Sequence, residues 1–106
     1  MRSNFAVKLN YQFIGWCKED SHDKVWVILQ LGGDSFSGKF LVVWGRRGRK
    51  LQTKIHEYMS QNSVDSLIRS KENKGYQEID RKNLDSIYPD FQEDLEKTAV
   101  WAMLTS

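Results

Sequence analysis

Within the first sixty residues, several runs of apolar and polar positions fit a period of two or an extended, largely apolar strand. A period of two is the spacing of side chains on opposite faces of a β-strand. Four such runs stand out, at residues 8–14, 25–31, 39–44 and 51–58. The second run, Val25-Trp26-Val27-Ile28-Leu29-Gln30-Leu31, is apolar on both faces, which predicts a central strand covered on two sides. Gly32-Gly33-Asp34-Ser35-Phe36-Ser37-Gly38 reads as the flexible loop between the second and third runs. Between the third and fourth lies a short turn containing Gly45 and Gly48, a hairpin signal. Residues 15–24 read as a polar connection.

After residue 60 the period changes. Val64, Leu67, Ile68 and Lys71 recur at helical spacing, predicting a short amphipathic helix over residues 63–73. Asn62 is the expected cap, with Asp65 three residues on, and Gly75 the expected left-handed stop. This helix is expected to cross one face of the sheet, each buried Val64, Leu67 or Ile68 contributing about 1.5–3 kcal/mol. Leu84, Ile87, Tyr88, Phe91, Leu95, Thr98, Ala99 and Ala102 fall near a second stripe. With Pro89 suited to a first turn, they predict a longer helix over residues 89–104. Its apolar end, Ala99-Val100-Trp101-Ala102-Met103-Leu104, exceeds what one buried face needs and is a candidate for packing on the sheet or for a homodimer or partner contact. The predicted fold is therefore α+β: a four-stranded antiparallel sheet, one helix across it, and an additional C-terminal helix. Residues 1–80 form the domain and 81–106 an extension packed on it.

Composition narrows the function classes. A chain of 106 residues with 40% hydrophobic and 28% charged positions fits one modest globular core. No apolar stretch approaches the roughly 20 residues of a membrane-spanning helix, and residues 1–5 lack a secretory leader's apolar segment. The single cysteine, Cys17, permits no intrachain disulfide, which suits a reducing, cytoplasmic setting. His22 and His56 have no metal-ligand spacing to each other or to Cys17, and no nucleophile with a paired base is evident. The expectation is a protein that is not an enzyme and needs no cofactor.

Net charge is only +2, but its distribution is uneven. Arg46, Arg47, Arg49 and Lys50 place four cations in five positions with no acid among them, followed by Lys54 and preceded by Lys39. Crowded like charges bring a turn little, whereas guanidinium forks and glycine backbone N–H groups suit phosphate oxygens. Trp44 beside them is either the last core residue of its strand or a platform for a base or sugar. A solvated basic turn with a core Trp is the plainer alternative.

Trp44-Gly45-Arg46 followed by Arg47-Gly48 resembles the signature of the WGR domain. Supporting blocks flank it: Asp23-Lys24-Val25-Trp26-Val27-Ile28 upstream, then Gln52-Thr53-Lys54, and Lys71 to Tyr76 ending in Lys74-Gly75-Tyr76. The likeness covers about two thirds of the chain, from Lys8 to Asp80. Two positions depart from it: Arg47 stands where an apolar residue is usual, and Leu51 where a glycine commonly precedes the strand. The family occurs in DNA-damage-dependent poly(ADP-ribose) polymerases and in small bacterial proteins. The resemblance implies a non-catalytic module that grips DNA ends or nicks. It casts Trp44 as the ring on a terminal sugar and Arg46 as the DNA-contacting arginine. Together with the charge pattern it nominates Trp44, Gly45, Arg46, Arg47, Arg49, Lys50, Lys54 and Lys39 as nucleic-acid-binding residues. An adaptor that docks an acidic protein partner is the rival expectation, and RNA in place of DNA is a third.

Overall fold

The computed structural model describes residues 10–19 and 21–97. The chain forms strands β1 (Asn10–Glu19), β2 (His22–Gly33), β3 (Ser37–Arg46) and β4 (Gln52–Ser60). Helix α1 (Gln61–Asn73) follows, then a two-residue strand β5 (Gln77–Glu78) and helices α2 (Arg81–Ile87) and α3 (Phe91–Glu96). The sheet is antiparallel with order β4-β3-β2-β1-β5. It has five strands where four were expected, because β5 pairs with β1 through Gly15↔Glu78 and Trp16↔Gln77 only. Two residues carry no readable period.

β2 is central, and its two apolar faces feed two cores. One face carries Phe13, Trp26, Ile28, Phe40 and Val42, packed with Val64 of α1. The other carries Ile14, Val25, Val27, Leu29, Leu41 and Val43, packed with Leu84 and Tyr88 at α2 and Phe91 and Leu95 of α3. The sheet is thus sandwiched between α1 and the α2–α3 pair, and the apolar residues of both layers are nearly all sealed from water.

Three expectations are corrected. Residues 15–24 are not a connection, since β1 and β2 run through most of them into a tight turn at Ser21. Gly15, where that connection was expected to begin, lies mid-strand, and a Cβ there would stand 2.7 Å from the Phe13 ring and 3.1 Å from Tyr76 Cβ, so the position suits glycine. α1 begins two residues early: the Ser60 hydroxyl, not Asn62, accepts from the Ser63 backbone N–H. Of the helix expected over residues 89–104, the described residues form only the short α3, Phe91–Glu96, and an unexpected helix, α2, precedes it, with Tyr88 between them at φ −142° and ψ 70°. Proline disfavours helical backbone in the residue before it, so Pro89 ends α2 rather than opening a longer helix. The rest of that predicted helix, residues 98–104, and its dimer contact lie outside the described residues. Among the described residues no helix is long and apolar enough to cross a membrane.

Candidate nucleic-acid interface

Register places Trp44. Residues directly opposite in an antiparallel pair share a face, and Trp26↔Trp44↔Gln52 and Ile28↔Val42↔Lys54 are aligned across β2, β3 and β4. Trp26, Val42, Trp44, Lys54 and, by the Phe40↔His56 pair, His56 all face α1. α1 adds Leu67 and Lys71 from above. Gly75, at φ +102°, then turns the chain so that Tyr76 comes down beside them. That turn is closed by the Gly75 and Tyr76 backbone N–H groups donating to the carbonyls of Glu72 and Lys71 at 3.0 and 3.1 Å. These eight side chains line a groove of about 280 Å³ at the end of the sheet where β3 finishes.

The groove is aromatic in its walls and cationic at its rim. The Lys71 ammonium lies 5.5 Å from the centroid of the Trp26 ring, and that of Lys24 5.9 Å from Tyr76. Burial and the neighbouring charges of Lys74 and Lys24 push the Lys71 pKa below its ordinary value. Burial, then Lys54, pushes that of His56 down. An anion bound beside them would favour the charged form of each. Among the described residues, Lys24, Arg46, Lys54, Lys71 and Lys74 form no ion pair with an acid. Trp44 is half-buried, and among the described residues its indole has no hydrogen-bond, cation or aromatic ring partner. Trp16 and Trp26 are engaged: the first donates to Asp23 Oδ1 at 2.8 Å, and the second meets Phe13 and Lys71.

The nominated residues do not form one cradle. Arg46 follows Trp44 on the α1 face, opposite Lys24, and is exposed, donating to the Ser21 carbonyl at 3.3 Å. Gly45 faces the other way, at φ +150°, where a Cβ would meet the Lys50 carbonyl at 3.4 Å, so its part is conformational. Arg47 is turned inward. Its Nε and Nη2 donate to both carboxylate oxygens of Asp23 at 2.6–3.1 Å, its Nη1 donates to the Ile87 carbonyl, and its guanidinium lies 5.9 Å from the Trp16 ring. That bond to Arg47, helped by Trp16, holds the Asp23 carboxyl below the usual carboxylate range. Arg49 and Lys50 line a different cavity, of about 560 Å³, between the turn and α3, together with Leu51, Thr53, Asp94 and Lys97. Lys39 lies near the start of β3, about 17 Å along the strand from Trp44 by strand rise, and its Nζ is 3.5 Å from Glu57.

Sequence reasoning missed Trp26, His56 and Tyr76 as neighbours of Trp44, and reached Lys24 only as part of a loop, Ser21 to Lys24, that the family resemblance places near a bound strand. Once strand register is known, the shared even parity of Lys24, Trp26, Val42, Trp44, Lys54 and His56 brings most of them together. Register itself depends on bulges, at Tyr11/Phe13, Gln30/Gly32 and Gly38/Phe40, that leave little trace in composition. Comparisons of the chain with family models, with curated proteins and with solved structures return no match.

Proposed function

We propose that this chain is a non-catalytic, WGR-like DNA-binding module that engages strand ends or nicks through the groove between α1 and the sheet. One observation carries the reading: a half-exposed indole with no hydrogen-bond, cation or ring partner among the described residues stands in a cavity rimmed by Lys54 and Lys71, with Lys24 and Arg46 alongside. The exposed part of the ring offers stacking, and ammonium groups without an acid beside them among the described residues offer phosphate contacts. Arg46 and Lys54 keep the roles expected of them. Arg49 and Lys50 serve a strand that continues around the turn. Arg47 acts on the turn's shape, and Lys39 lies outside the site.

Fluorescence anisotropy with blunt, nicked and covalently closed duplexes at low salt tests this. Binding is expected to favour the open-ended and nicked forms, and Trp44→Ala is expected to cost about 1–3 kcal/mol of affinity. Equal and negligible binding to all three would refute it.

A further inference from the structure

The groove's geometry restricts what part of a nucleic acid can reach its aromatic floor. α1 stands against the sheet on one side and Tyr76 closes a second, so Trp44 lies recessed among Val42, Leu67 and Lys71 rather than on a flat surface. The cavity of about 280 Å³ sits at the foot of the size range for small-ligand sites. Its scale is that of a single base rather than of a long stacked segment. A duplex presents sugar and phosphate outward and keeps base faces inside the stack, so a recessed ring meets a base only after that base has left it. Trp26 and Tyr76 already have an ammonium over their rings, at 5.5 and 5.9 Å, whereas the Trp44 ring has none among the described residues.

Resting on the nucleic-acid reading above, we infer that the groove takes a single unpaired base, stacked on Trp44, with its phosphates on Lys54 and Lys71. The protein therefore prefers single strands and overhanging ends to blunt duplex. The contact is tolerant of base identity, because stacking uses a face that every base has. Its cation rim makes binding to the flanking phosphates salt-sensitive.

The probes are a short oligodeoxythymidylate, a blunt hairpin duplex and the same hairpin with an unpaired overhang carrying 2-aminopurine. Anisotropy is expected to show the single strand and the overhang bound roughly tenfold or more tighter than the blunt duplex, with quenching of 2-aminopurine on binding. Trp44→Leu is expected to remove both the quenching and the preference, so that the single strand and the overhang bind no more tightly than the blunt duplex. Lys71→Gln, which keeps the ring, should weaken all three probes and retain the quenching. Blunt duplex bound as tightly as the single strand, or an unquenched overhang, overturns the inference while leaving the DNA-binding reading intact. Absence of binding to every probe overturns both.

Discussion

At the scale of single residues the Arg47–Asp23 pair shows how a functional-looking cation becomes a brace. Asp23 sits at the start of β2, 24 positions before Arg47, and accepts from Arg47 through both oxygens and from Trp16. Arg47 then reaches the Ile87 carbonyl, so one guanidinium ties the turn after β3 to β2 and to the end of α2. The side chains are 33% and 26% exposed, so water screens the charges and the hydrogen-bond geometry does most of the stabilising. Arg47→Ala is expected to cost about 1–2 kcal/mol, measured by urea unfolding at neutral pH. The acid dependence has a definite sign. Because the Asp23 carboxyl is held below its ordinary value, the unfolded chain binds that proton more readily than the folded one. Its contribution is complete above about pH 4 and is lost as pH falls below that. The wild-type unfolding midpoint should drop through this acid window, and that of Arg47→Ala should drop less. The sequence displayed the charge of Arg47 but not its partner, since a contact across two hairpins has no local period.

Elements were legible where a period runs long and illegible where a short-range break competes with it. The four long strands announce themselves by alternation or by apolar, β-branched runs, and β2's apolar character on both faces marks the sheet's centre. The bulge between Gly38 and Phe40 reverses parity in β4, so that Met59 joins His56 on the α1 side although one is odd and the other even. Composition gives no warning of that reversal. At α1, Asn62 and Ser60 are both residue types that favour a cap. The chain selects Ser60 because β4 runs directly into the helix, and the Gln61 N–H is already donated to the Phe36 carbonyl at 2.8 Å. Ser60→Ala is therefore expected to cost about 1 kcal/mol, read as a fall in Tm of roughly 4–8 °C for a domain of this size. Asn62→Ala should leave Tm nearly unchanged. At the other end Gly75 at φ +102° positions Tyr76, so a cap residue here also shapes the groove.

At the scale of the whole molecule, the sheet separates two layers that answer to different tests. α2 and α3 seal one face through Leu84, Tyr88, Phe91 and Leu95, each almost wholly buried, and contribute no side chain to the α1 groove. Leu84→Ala should cost about 2–5 kcal/mol of stability, yet leave the affinity of the folded fraction unchanged. The groove side behaves in the opposite way. Lys71 is held among Lys24 and Lys74, whose charges oppose its own, so removing it relieves repulsion in the free protein. Lys71→Gln is therefore expected not to lower Tm. Each lysine that meets a phosphate of a single strand adds roughly 0.7 to the slope of log affinity against log salt concentration. Lys71→Gln and Lys54→Gln should each flatten the slope by about that amount, and Leu84→Ala should not alter it. Arg49 and Lys50 lie around the turn, toward α3. If Arg49→Gln also flattens the slope, the bound strand passes from the α1 face across the turn to the α3 side. If it does not, the path ends at the groove. Net charge of +2 disguises this arrangement because the acids that balance the total lie elsewhere, with Asp23 on Arg47, Glu57 on Lys39 and Asp94 on the Tyr88 hydroxyl. A surface cation without an acid beside it is where salt dependence must originate, and the α1 rim holds five of them among the described residues: Lys24, Arg46, Lys54, Lys71 and Lys74.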